Sequence, residues 1–216
     1  MTREQKRTFI SLLALFLLSL AFRAICLNQG LWYDELFMVI RFLHKPVKII
    51  MTRIPYPNNH ILYTLLAKLS AFTFGEKEWS LRLPSVILGS LTPPIFYLLF
   101  KKFSGHFNAF LAGLFLTLNY WMVWFGQDAR GYAGFILFAG ISQFSYLDWL
   151  RNPRSSTVVY YFLASVIASY FHLYMFFIIA GQAAYGFSRW LGAQKEKRVM
   201  IFLLPGLTSL FSLALY

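Results

Sequence analysis

Two acids stand side by side at Asp34-Glu35, directly after the aromatic pair Trp32-Tyr33. A carboxylate at a membrane surface can act as general base toward a hydroxyl, and partial burial raises its pKa toward that role. The pair also fits a helix N-terminus, where acids complement the dipole, beneath a belt of interfacial aromatics. The residue types leave both readings open. A second group is Gln127-Asp128-Ala129-Arg130-Gly131-Tyr132. A guanidinium binds phosphate through parallel N–H groups, so Arg130 beside acids is a candidate site for a lipid phosphate. The plainer alternative is an ion pair or a snorkelling side chain.

Asn59-His60 follows the turn-rich stretch Pro55-Tyr56-Pro57-Asn58. His60 either caps a helix and faces water, or touches a donor phosphate, an acceptor or a metal. His172 lies at another expected turn. Two histidines and several carboxylates can hold a divalent cation, but no HxxxH spacing fixes one. The metal is therefore left undetermined, with a divalent ion as the one cofactor considered. A G-x-x-x-x-G-K-[ST] loop and a G-x-S-x-G elbow are both missing, so nucleotide and serine hydrolysis lack support.

These groups need elements to position them. Of the 216 residues, 58% are hydrophobic and 13% charged. A soluble domain carries about 25% charge, so a soluble globule and a disordered chain are both disfavoured. The apolar runs are continuous rather than alternating, which selects helices as membrane spans. The expected fold is all-α and polytopic, with about seven transmembrane helices at 8–27, 85–100, 107–125, 132–150, two within 157–190 turning near His172, and 199–216. A long outer loop over 28–84 is expected to hold interfacial helices, with Leu36, Ile40, Leu43 and Val47 on one face and a second helix over 59–74 ended by Gly75.

The net charge is +12. In this distribution the cations read as flanks of spans on the cytoplasmic side, not as a nucleic-acid surface. Arg3, Lys6, Arg7, Lys101-Lys102, Arg151 and Arg154 then share one side, which gives a multi-pass plasma-membrane protein with a cytoplasmic N-terminus. Arg23, near the outer end of the first span, is expected to snorkel to headgroups. The single cysteine, Cys26, excludes an internal disulfide. The run 1–216 reads as a single membrane module that ends in an apolar segment, as if a C-terminal part were missing.

Four segments together resemble the GT-C superfamily of membrane glycosyltransferases, near the protein mannosyltransferase and lipid A aminoarabinose transferase branch. They are the acidic pair in Leu31-Trp32-Tyr33-Asp34-Glu35-Leu36; Asn59-His60-Ile61-Leu62-Tyr63; Glu78-Trp79-Ser80-Leu81-Arg82-Leu83-Pro84-Ser85; and the stretch from Gln127 to Tyr132. Isoleucine follows His60 where the family usually has proline. The resemblance covers about residues 30–177. It implies a polyprenyl-phosphate sugar donor and transfer to a lipid, glycan or protein hydroxyl on the non-cytoplasmic face. Asp34 matches the catalytic acidic position, and its neighbour Glu35 is the second catalytic candidate, expected to orient the site or bind an ion. Asn59, His60, Asp128, Arg130, Tyr132 and His172 fall in substrate-binding regions, with Arg130 nearest the donor phosphate. Two other classes stand beside this one: a transporter or flippase for lipid-linked sugars, and a non-catalytic membrane subunit.

Overall fold

A computed structural model describes residues 1–52, 59–191 and 199–214 of the protein. The Pro55–Asn58 turn and the basic stretch 192–198 lie outside the described residues. Among those residues every regular element is a helix: α1 (Arg3–Arg23), α2 (Tyr33–Met38) continuing into a π-helical turn (Val39–Leu43), α3 (Val47–Thr52), α4 (Ile61–Phe74), α5 (Glu78–Leu118), α6 (Tyr120–Gln127), α7 (Tyr132–Arg151), α8 (Ser155–Phe171), α9 (Met175–Leu191) and α10 (Val199–Ala214). The all-α expectation is met. Two helices, α1 and α5, are long and apolar enough to cross a membrane. The chain divides into two compact units, Met1–Leu137 and Phe138–Tyr216.

In the first unit, α1 and α4 bury several small or polar residues and expose large apolar ones. Along α1 the buried positions are Ser11, Leu15, Ser19 and Arg23, spaced four apart on one face. Phe9, Ile10, Leu13 and Leu17 are exposed. Helix α4 buries Thr64, Ala67, Ser70 and Ala71 and exposes Leu69 and Phe72, the latter at 89%. Water drives the reverse arrangement; helices in lipid pack through small and hydroxylated residues.

Helix α5 reverses direction inside its own span. Gly105 has φ 78°, a left-handed conformation that costs glycine no Cβ clash. The two arms pack antiparallel: Tyr97 Oη meets His106 Nδ1 at 2.8 Å, and Tyr97, Ala109 and Leu15 of α1 share a core. Lys101 reaches Glu4 and Thr8, both at 2.9 Å. The Lys101-Lys102 end of the hairpin therefore lies beside the start of α1, and the candidate catalytic residues gather at the other end.

Two helix boundaries and one side chain correct the expectation. Helix α5 begins at Glu78, so 78–84 is helix rather than loop. Proline 84 is tolerated there because the carbonyl it leaves without an N–H partner, that of Ser80, accepts the Ser70 hydroxyl at 2.6 Å. Helix α1 stops at Arg23, not at 27. Arg23 does not snorkel: it is 1% exposed. Its Nη1 donates to the Ser19 hydroxyl at 2.6 Å and its Nη2 to the Met122 carbonyl at 3.0 Å. Gly126 makes room for it, since an alanine Cβ there would stand 2.6 Å from Arg23 Cδ and Nε. Gln127 fastens the same joint from the other side through the Phe22 and Ile25 carbonyls at 3.1 and 2.8 Å.

Lys68, in the middle of α4, donates to the Leu43 and Lys45 carbonyls at 2.7 and 3.1 Å. A cation there complements the carbonyl end of the π-helical turn. Helix α4 ends at Gly75, φ 84°, as the sequence predicts.

In the second unit, Tyr146, Trp149, Tyr161 and Leu204 form the core. Buried Gln182 accepts from Tyr161 Oη at 3.0 Å and donates to Gln143 and Ser142 at 3.0 and 3.3 Å.

Candidate functional site

The site rests on one buried ion pair. Glu35 is 0% exposed and Arg82 3%. Nε and Nη2 of Arg82 donate to the two carboxylate oxygens at 2.9 and 2.6 Å, a bidentate fork. The remaining guanidinium hydrogens go to the carbonyls of Leu27, Gln29 and Gly30 at 2.8, 2.7 and 3.2 Å. All five donors of an arginine are thereby used. Glu35 also accepts from the backbone N–H of Trp32 at 2.8 Å and of Ala129 at 2.6 Å. One carboxylate thus caps α2, orders the 27–30 turn through Arg82, and holds the 128–130 loop. Each of its oxygens accepts two hydrogen bonds. In the sequence Arg82 stands out only as part of the family-like stretch 78–85. No helical or strand period links positions 35 and 82; the one signal is an arginine opening an apolar helix.

Upon this frame Asp34, His60, Arg130 and Tyr132 converge. Arg130 Nη1 donates to Asp34 Oδ2 in an ion pair. Its Nε and Nη2 lie 3.2 and 2.9 Å from His60 Nε2. An imidazole nitrogen that takes hydrogen bonds from a guanidinium presents its lone pair, which assigns the proton to Nδ1. The guanidinium carbon lies 5.2 Å from the Tyr132 ring centroid, a cation–π contact. Arg130 and His60 are buried, whereas the Asp34 side chain is 45% exposed. Ser85 of α5 anchors the loop by donating to the Asp128 and Arg130 carbonyls at 2.6 and 3.2 Å.

Asn59 is buried and donates to the Ile50 carbonyl at 2.8 Å, which ties the start of α4 to α3. His172 belongs to the second unit, in the turn between α8 and α9. There its Nδ1 accepts from the Tyr174 N–H at 3.1 Å. Among the described residues no three His, Cys, Asp or Glu groups cluster as metal ligands. The cation between Asp34 and His60 is the guanidinium of Arg130.

Asp128 lies beside Glu35. Burial first, and then the Glu35 carboxylate, push its carboxyl up to about 7, against the pull of Arg130 and Arg82. An unfolded aspartyl titrates near about 3.9. Between those two values the folded chain binds more protons than the unfolded one, so stability declines as pH rises through that window. The decline is complete above the folded value. Asp128→Asn should remove that part of the slope in melting temperatures measured from acid to neutral pH in detergent. An unchanged slope would show that Asp128 does not carry it.

Compared with family models, with curated proteins and with solved structures, the chain matches none of them.

Proposed function

We propose that the protein is a GT-C-like membrane glycosyltransferase, or the membrane module of one. It moves a sugar from a polyprenyl phosphate to a hydroxyl on the non-cytoplasmic face. The observation that carries the reading is the meeting of Asp34, Arg130 and His60 on the Glu35–Arg82 frame. A half-exposed carboxylate beside a buried arginine is the minimum equipment for general-base attack with a phosphate leaving group. The seven-span topology, the cytoplasmic N-terminus and the plasma-membrane location belong to the same proposal. The apolar outer face of α1 supports its membrane part.

In the reaction, the acceptor oxygen forms a bond to the anomeric carbon and its proton passes to Asp34. The bond from that carbon to the phosphate oxygen breaks, and the electron pair leaves with the polyprenyl phosphate. Arg130 neutralises the departing phosphate. One displacement inverts the anomeric centre. In the resting site Arg130 is paired with Asp34. An incoming phosphate competes for the guanidinium edge that faces the carboxylate, so donor binding itself releases the base. His60 and Tyr132 hold the guanidinium plane while the partner changes. Glu35 and Arg82 keep the base and the phosphate site in register.

Transfer from a radiolabelled polyprenyl-phosphate sugar by the purified protein tests the reading. Radiolabel appearing in the acceptor, with the anomeric configuration inverted, supports it. Donor translocation between leaflets without transfer would favour the transporter. Binding without either would favour the non-catalytic subunit.

A further inference from the structure

The Glu4–Lys101 contact gathers charge that is scattered in sequence. Arg3, Lys6 and Arg7 open α1, and Lys101 and Lys102 lie just before the Gly105 reversal. Lys101 bonds Glu4 and Thr8, so both groups occupy one end of the first unit. Among the described residues Arg3, Lys6 and Arg7 stand there beside Lys101, which engages the Glu4 carboxylate. Arg3, Lys6, Arg7 and Lys102 are exposed.

Directly beyond this basic end the surface turns apolar. Phe9, Ile10 and Leu13 are exposed on α1, and Phe107 and Leu111 on the returning arm of α5. A cationic rim above an apolar band matches a leaflet with anionic headgroups over acyl chains. A soluble acidic partner would match the rim but leave the band in water.

We propose that this end binds anionic phospholipid in preference to zwitterionic lipid, with headgroup phosphates drawn to Arg3, Lys6 and Arg7 and the acyl chains against Phe9 and Phe107. The inference rests on the membrane part of the preceding reading and is independent of sugar transfer. Each surface cation is worth roughly fivefold in attraction to an anionic leaflet. The attraction weakens with salt over about a Debye length of 8–10 Å.

The test uses the full chain in nanodiscs holding equal amounts of phosphatidylglycerol and phosphatidylcholine. Lipids that stay bound after release from the disc are counted by native mass spectrometry. The parent protein should retain phosphatidylglycerol several-fold over phosphatidylcholine at low salt. The triple variant R3Q/K6Q/R7Q should bring that ratio close to one and weaken its salt dependence. These side chains are exposed, so the variant's melting temperature should stay with the parent's. If the variant melts early, R3Q/R7Q alone carries the comparison. A parent ratio near one, or a variant ratio equal to the parent's, overturns the proposal. So does displacement of the lipid by glycerol phosphate at equal phosphate, because the site would then take the headgroup without the chain. Failure to enter discs of either lipid overturns the membrane reading as well. Loss of sugar transfer with the lipid preference intact touches only the enzymatic reading.

Discussion

Arg82→Met should destabilise the protein by about 3–5 kcal/mol. In a chain of this size that corresponds to a fall on the order of 10 °C in melting temperature. The guanidinium gives hydrogens to two carboxylate oxygens and three carbonyls, all at an interior position. Removing it leaves Glu35 0% exposed and short of its main partner. Arg82→Lys is no remedy: an ammonium has three donors and no planar fork, so at least two acceptors stay unpaired. Glu35→Gln keeps the shape and most hydrogen bonds and should cost less. The double variant should cost less than the two singles summed, because the penalty in each single is the stranded partner. Thermal unfolding in detergent measures all of this. If Arg82→Met melts within about 1 kcal/mol of the parent, the pair is not what holds the site together.

Asp34→Asn should lower turnover about 10²–10⁴-fold, the usual contribution of a positioned base. The side chain is 45% exposed and makes its ion pair at the edge of the site, so folding should be little affected. Donor affinity distinguishes this role from a structural one. In the resting protein Arg130 is paired with Asp34. Asparagine keeps the shape but gives up the charge, so a donor phosphate meets less competition and should bind as tightly as before or tighter. A large fall in turnover with unchanged or improved donor affinity is therefore the signature of Asp34 as base. Arg130→Lys should do the opposite, weakening donor binding through loss of the fork. Full turnover in Asp34→Asn would sink the assignment and send the search to Asp128, whose raised carboxyl makes it the next candidate.

Much of this architecture can be read from the chain. The all-α class, the stop of α4 at Gly75 and the turn at His172 follow from apolar periodicity and glycine placement. Residue chemistry singles out Asp34, His60 and Arg130 one by one as candidates, and the resemblance to GT-C enzymes groups them. The pairing of those candidates is harder to read, because it joins positions 70 and 96 residues apart. Arg23 shows why charge in a span is easily misjudged. By sequence it sits near an interface and should reach water. The fold instead surrounds it with carbonyls and with a glycine that leaves it room. Lys68 is the same case, a cation answered by backbone carbonyls rather than by an acid. Side-chain spacing carries no information about carbonyls freed at a distant helix end. Asp34 and Glu35 are neighbours of the same charge, yet one is half open and the other sealed. That difference comes from Arg82, which no local pattern connects to them.

The reversal at Gly105 has a consequence for the order of assembly. Its Tyr97–His106 contact closes only nine residues of chain, whereas Ala129–Glu35 and Arg130–Asp34 close 94 and 96. Short loops close at low entropic cost and long ones at higher cost. The two arms of α5 can therefore zip before the residues that complete the site have found their partners. The 128–130 segment arrives last, onto a cradle that α1, α2 and α5 have already built. Contacts made that late are weak in the folding transition state. Substitutions at Arg130 should thus speed unfolding and leave the folding rate nearly alone, whereas an alanine at Gly105 should slow folding itself.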